Sequence, residues 1–210
     1  MTVPDDHIPF DARFKEKGPF LDVRHAAYIE AISISAFVIC WIIMAFLDGD
    51  WSWNTNMVSD FGISESSIVR NIFAMACAVC GIGMAVCSYS FVAYTPSFWT
   101  RLTYIFCMIS GVLLIGVGLF DKEYAAHDFC AVAMCFPAIL SMITMGVCDF
   151  LEHRYRLIMI SALMGVLCLF LMLFIPEYTQ SVSIMCLLLW FLIRCIVFIW
   201  LDDIRLRNGL

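Results

Sequence analysis

The chain has 210 residues, of which 63% are hydrophobic and 14% are charged, and its formal net charge is −6. Soluble domains contain about 45–50% apolar and about 25% charged residues, so this composition excludes an ordinary soluble globular protein. The acidic balance and the scattered basic residues exclude a nucleic-acid-binding surface. We therefore expect an integral membrane protein whose immediate partners are membrane lipids and not nucleic acid.

Long apolar stretches follow one another along the chain, and each is close to the length of about 20 residues that a helix needs to cross a bilayer. Backbone groups in lipid must be satisfied internally, so each stretch is predicted to be a helix. The six predicted spans are Ala26–Leu47, Ile68–Ala93, Leu102–Phe120, Ala126–Cys148, Leu157–Ile175 and Ser181–Leu201. The expected fold class is an all-α, polytopic six-helix transmembrane bundle. The expected organisation is an N-terminal segment 1–25, a transmembrane domain 26–201 and a tail 202–210.

Basic residues collect on one side of the membrane if the six helices alternate in direction. That side receives Arg13, Lys15, Lys17, Arg24, Arg101, Arg154, Arg156, Arg205 and Arg207, whereas the other side has Lys122 and Arg70. Cytoplasmic loops carry the excess of Lys and Arg, so both termini are predicted to be cytoplasmic in a multi-pass protein of the cell membrane.

The N-terminal segment has two alternatives. Phe10, Phe14 and Phe20 are interleaved with basic residues, which favours a segment lying on the inner membrane interface. The alternative is a disordered tail. The charged part is too long for a cleavable signal peptide.

Small and sulfur-containing residues are concentrated in the predicted spans. All eleven cysteines fall there, which favours packing as small hydrophobic residues over a disulfide framework. Small residues let helix backbones approach closely. The sites of this kind are Cys77, Gly81 and Ala85 in the second span and Gly111, Gly116 and Gly118 in the third.

Two charged residues lie within predicted spans. Glu30 is about one turn into the first span, where it could reach the inner headgroups. Arg194 is seven residues from the end of the sixth span. It could extend to the interface or point into the bundle and pair with a carboxylate.

Six polar residues are brought to the outer side by this topology: Asp60, Glu65, Arg70, Asn71, His127 and Asp128. An unpaired charge near the hydrocarbon boundary is costly, so we expect Asp60, Arg70 and His127 to lie within mutual hydrogen-bonding or ion-pair range. Adjacent helical residues such as His127 and Asp128 do not share a face. Zinc needs three or four convergent ligands, so no metal site and no cofactor are assigned.

The outer motifs resemble those of a known family. Ser59-Asp60-Phe61-Gly62, followed by Asn71, is similar to the Ile-Ser-Asp/Glu-Leu-Gly…Asn pattern of the domain-of-unknown-function 998 family. Gly116-Val117-Gly118-Leu119-Phe120, followed by His127, is similar to its Gly-Leu-Phe…His pattern. Phe61 replaces the usual Leu, and Asp121 replaces a Pro that often follows the Phe. The resemblance implies a small six-helix membrane protein and no particular activity.

Three functions are compatible with these observations. The aromatic outer loop above spans rich in Cys, Met and Gly favours a protein that binds a lipid or hydrophobic small molecule between its helices, near the outer leaflet. One alternative is an intramembrane lipid-modifying enzyme with His127 as acid or base and Asp60 and Asp128 as metal or orienting ligands. The other is a packing or assembly subunit that joins a homo-oligomer or another membrane protein.

Overall fold

The computed structural model describes residues 21–52, 56–95, 97–120, 122–174 and 179–208. Within these ranges its regular secondary structure is helical, without a strand. The α-helices are α1 (Val23–Asp48), α2 (Ser67–Tyr94), α3 (Phe98–Leu119), α4 (Ala125–Leu151), α5 (Tyr155–Phe174) and α6 (Thr179–Asn208). A short 3-10 helix, Val58–Ile63, lies in the connection between α1 and α2.

Four helices, α1 to α4, are long and apolar enough to cross a membrane. Helices α1, α2 and α4 contain the first, second and fourth predicted spans, and α3 contains the third except for its last residue, Phe120. The fifth and sixth spans fall largely in α5 and α6. Among the described residues, these two helices contain the shorter apolar segments Leu157–Leu167 and Ile184–Trp200. The all-α membrane architecture is therefore confirmed, while the count of six crossings and the orientation of the termini stay predictions.

The helices pack in chain order. Each α-helix contacts the next, and α6 returns to contact α1, so the six close a ring. Large buried side chains, including Trp41, Met84, Met142 and Trp190, fill its interior. We call the end with the 3-10 helix the loop end. The opposite end, with the turn between α4 and α5 at residues 152–154, is the turn end.

Glycines set the close approach of α2 to α3. A Cβ atom on Gly81 would lie 2.4 Å from the carbonyl oxygen of Gly111, and one on Gly118 would lie 2.6 Å from the Cβ of Cys77. Those distances are far inside van der Waals contact, so the two backbones touch at positions where no side chain fits. The prediction that small residues mediate helix packing is confirmed here.

The cysteines behave as core residues. The ten that the structure describes are free thiols, and all except Cys40 and Cys135 are buried. This agrees with the predicted packing role.

The ends of the chain meet the sequence expectations only in part. Residues 202–208, expected to form a tail, continue α6 as helix. Residues 1–20, and with them the alternatives for Phe10, Phe14 and Phe20, lie outside the described part of the chain.

Candidate functional site

The loop end is built around an aromatic stack. The ring of Trp51 lies 4.9 Å from that of Phe61, stacked at 25°, and contacts Trp41 edge-on at 6.4 Å. The indole N–H of Trp51 donates to the carbonyl of Met57 at 3.0 Å. A Cβ on Gly62 would lie 3.3 Å from the Phe73 ring, so the loop packs closely against α2 at this position. The connection therefore has a packed structure of its own.

Asp60 holds two parts of this end together. Its Oδ2 accepts the backbone N–H of Met57 at 2.7 Å, which caps the 3-10 helix. Its Oδ1 pairs with the ammonium of Lys122, from the connection between α3 and α4. Both side chains are mostly buried, at 20% exposure for Asp60 and 29% for Lys122. Lys122 is thus the cation that forms an ion pair with Asp60.

Arg70 has other partners. Its guanidinium donates to the backbone carbonyls of Ser64 and Glu65, just before α2 begins. The Ser64 hydroxyl in turn donates to the Asp48 carboxylate at the end of α1. Arg70 therefore helps to order the entry into α2 and forms no ion pair with Asp60.

His127 is buried, with 1% of its surface exposed. Its Nδ1 lies 2.9 Å from the carbonyl oxygen of Phe120, which assigns the proton to Nδ1 because a carbonyl can only accept. Nε2 is buried and has no hydrogen-bond partner among the described residues. The ring packs α4 against the end of α3.

The predicted mutual contact of Asp60, Arg70 and His127 is wrong for the described residues, in which each bonds to a different group. The physical reason is that backbone carbonyls satisfy Arg70 and His127 locally, which leaves Asp60 to Lys122. Glu65, Asn71 and Asp128 are exposed. In the part of the chain described, no group of three metal-ligating side chains converges.

A second polar cluster lies at the turn end. Asp149, completely buried in α4, pairs with the guanidinium of Arg194 from α6. The same guanidinium donates to the Ser161 hydroxyl of α5 at 3.0 Å and lies 5.7 Å from the Trp190 ring. The indole N–H of Trp190 also donates to Ser161, at 3.0 Å. Of the two alternatives for Arg194, the structure has the one that points into the bundle.

Arg154 completes the cluster from the turn. Its Nε lies 3.4 Å from Oδ1 of Asp149, and its Nη2 lies 2.5 Å from the Glu152 carboxylate. The turn-end cluster is therefore Asp149, Glu152, Arg154, Ser161 and Arg194. Sequence reasoning missed Asp149 because it follows the predicted end of the fourth span, where a carboxylate resembles a solvated rim charge. The signal that could have found it is Arg194, which needs a carboxylate at its own depth.

Glu30 faces the centre of the ring and is 2% exposed. It therefore does not reach the inner headgroups, which differs from the expectation based on the sequence. It lines a cavity of about 10 Å³ together with Thr103, Tyr104, Arg194 and Cys195. The thiols of Cys87 and Cys195 are close neighbours of its carboxyl group. Oε1 of Glu30 has no hydrogen-bond partner among the described residues.

A larger groove of about 430 Å³ lies between α4 and α5, towards the turn end. Its lining is apolar except for Ser161, which also belongs to the turn-end cluster. Residues on both walls include Met142, Gly146, Phe150, Ser161, Gly165 and Val166. The groove is long and apolar enough for a chain-like apolar molecule to enter.

These features define a class: an α-helical integral membrane protein whose polar groups are gathered at two ends of an apolar helix ring. Within that class the chain belongs to the family described as protein of unknown function (DUF998), whose model matches residues 31–200. The resemblance expected from the loop-end motifs is thereby confirmed. Neither a curated protein nor a solved structure matches the chain.

Proposed function

We propose that the protein binds a membrane lipid, or a hydrophobic molecule of similar shape, with an apolar chain held in the groove between α4 and α5. The observation that carries the proposal is the groove itself. Its volume of about 430 Å³ lies within the range of about 300–1,000 Å³ that small-molecule sites occupy. Its lining is apolar with a single polar group, which suits an acyl chain.

Gly146 and Gly165 keep the groove open. A Cβ on Gly146 would come no closer than 4.0 Å to Ser161, and one on Gly165 no closer than 3.9 Å to Met142. These are ordinary contacts, in contrast to the close approach of Gly81 to Gly111. Helix packing therefore does not require glycine at either position, and the absence of side chains leaves space between the helices.

The free energy of lipid binding in the groove is expected to discriminate between lipids of different shape and not to be large for all of them. Lipid tails are as apolar as the groove, so moving one from the bilayer into the protein gains nothing from the hydrophobic effect. Occupancy must come from shape, through the many weak dispersion contacts of a matched surface. We therefore expect retention of lipids whose chains fit the groove, and ready exchange of others.

The groove lies towards the turn end, whereas the aromatic outer loop favours a site near the outer leaflet. With the orientation expected from the basic residues, the turn end lies in the cytoplasmic leaflet. At the loop end, Asp60 is already engaged by Lys122 and His127 by Phe120. No specific observation favours the enzyme alternative, which needs those side chains to act on a shared substrate.

The test is native mass spectrometry of the full chain released from mild detergent, comparing the wild type with Gly165→Leu. We expect the wild type to retain phospholipid and the variant, whose new side chain enters the groove, to lose most of it. Ala125→Leu is the matched control, because Ala125 is an exposed small residue at the far end of α4.

Equal lipid retention by wild type and Gly165→Leu, at unchanged helix content, would contradict the groove as the site. A wild-type dimer that Gly165→Leu converts to a monomer would instead assign the groove to a helix of a second copy. That outcome would support the assembly alternative.

A further inference from the structure

We propose that Glu30 is a proton-binding site at the centre of the bundle, and that release of its proton would redirect Arg194. The proposal does not depend on lipid binding in the groove. It is carried by the burial of the carboxyl group, the cavity that it faces and the charge balance of its surroundings.

The surroundings of Glu30 offer space but little compensation for a negative charge. Oε1 is buried and has no hydrogen-bond partner among the described residues, although it belongs to a side chain that lines a cavity. A cavity of about 10 Å³ is the size of a single water molecule. The cavity can therefore hold one water molecule beside the carboxyl group, but nothing larger.

The charges of the turn-end cluster already balance without Glu30. Arg154 and Arg194 are matched by Asp149 and Glu152. An ionised Glu30 would add an uncompensated negative charge at membrane depth, which is strongly disfavoured, whereas a bound proton removes that charge. A neutral carboxyl is consistent with both thiol neighbours, which can donate and accept only weakly.

Titratable and charged groups face Glu30 from three neighbouring helices. They are Cys80 and Cys87 of α2, Tyr104 and Cys107 of α3, and Arg194 and Cys195 of α6. Among these, Arg194 is the cation, and it is bound to Asp149 and Ser161.

After loss of its proton, the Glu30 carboxylate would compete with Asp149 for the Arg194 guanidinium. Asp149 would keep Arg154, so Arg194 could turn towards Glu30 without leaving a carboxylate unpaired. Such a move would release Ser161 and shift the contact between α6 and α4. The arrangement is thus a proton-linked switch that joins α1, α4 and α6.

Infrared spectroscopy of the full chain at neutral pH, in a detergent without carbonyl groups, tests the proposal. We expect a protonated-carboxyl stretching band that disappears in Glu30→Gln and persists in the control Glu65→Gln, because Glu65 is exposed. Glu30→Asp, which keeps a carboxyl group, should shift the band and so assigns it even if the Gln variant fails to fold.

Two results would overturn the proposal. A wild-type spectrum in which no protonated-carboxyl band responds to either substitution would mean that Glu30 is ionised. A band that appears only when sodium is replaced by choline would mean that a sodium ion, and not a proton, neutralises Glu30.

Discussion

Asp149 is completely buried, and two arginines approach it from different elements, Arg194 from α6 and Arg154 from the turn after α4. Removal of the Asp149 carboxylate would leave the Arg194 guanidinium without a counter-charge in a medium that solvates charge poorly, which is costly. The single residue thereby connects three helices, since Ser161 of α5 shares the Arg194 guanidinium.

Asp149→Asn should lower the free energy of unfolding by about 3–5 kcal/mol, the usual cost of breaking a buried ion pair. The substitution keeps the shape of the side chain but leaves Arg194 without its carboxylate. Denaturation in mild detergent measures the loss, and Asp128→Asn is the control because Asp128 is exposed on the same helix. Equal effects of the two variants would mean that the pair contributes nothing to stability.

Asp60 and Lys122 should show energetic coupling on the order of 1 kcal/mol in a double-mutant cycle. The pair joins the 3-10 helix to the connection before α4, and both side chains are largely shielded from water. The cycle uses Asp60→Asn, Lys122→Gln and the double variant, with thermal stability as the readout. The cycle of Asp60→Asn with Arg70→Gln should be additive, since Arg70 bonds to backbone carbonyls. Stronger coupling to Arg70 than to Lys122 would contradict the assigned pairing.

The residues of the loop end could be listed from the sequence, but their pairing could not. Topology places Asp60, Arg70 and His127 on one side of the membrane, whereas the choice of partner depends on loop geometry. Nearby carbonyls satisfy Arg70 and His127. A sequence shows side-chain charges but does not show which backbone carbonyls a fold leaves free, and this is why Lys122 was not recognised as the partner of Asp60.

At the scale of helices, the glycines divide into two kinds that the sequence alone does not separate. Gly81 and Gly111 face each other where α2 and α3 touch, with no room for a Cβ atom. Gly146 and Gly165 line the groove and have room for one. The first kind sets the distance between helices, and the second leaves a gap between them.

Gly81→Ala should therefore destabilise the bundle by about 1–3 kcal/mol, the usual cost of overpacking. Gly165→Ala should be neutral or stabilising by up to about 1 kcal/mol, because alanine favours a helix and its Cβ fits. Thermal unfolding of the two variants in one detergent compares them directly. Stability changes of equal sign and size would contradict the difference in packing between the two interfaces.

The helices themselves follow closely from the sequence, because apolar length is a strong constraint in lipid. The predicted span Ala26–Leu47 lies inside α1, and Ala126–Cys148 lies inside α4. The helices extend beyond the apolar stretches, as at residues 202–208 of α6, because a helix does not need to end where its hydrophobic residues end. Because α4 extends in the same way past Cys148, Asp149 lies in the helix and not in a loop.

At the scale of the whole molecule, closure of the ring by α1 and α6 gives the protein an interior. Glu30 of α1 and Arg194 of α6 line the same cavity in that interior, although they are 164 positions apart in the chain. Neither residue could be assigned from local sequence, since the distance between them depends on how the first and last helices pack. The groove between α4 and α5 is likewise a property of two packed helices.

The arrangement of the ring across the membrane leads to the last prediction. Residue 65 lies at the loop end and residue 153 at the turn end, so if α1 to α6 cross in alternation, cysteines placed there must face opposite compartments. We expect Glu65→Cys to react with a membrane-impermeant maleimide in intact cells, and His153→Cys to react only after permeabilisation. His153 already has a left-handed backbone conformation, with φ of 56°, so the substitution replaces one strained side chain by another. The unsubstituted chain is the control, because eight of its ten described thiols are buried and should react slowly. Labelling of residue 153 in intact cells, with residue 65 protected, would reverse the orientation and place the groove in the outer leaflet.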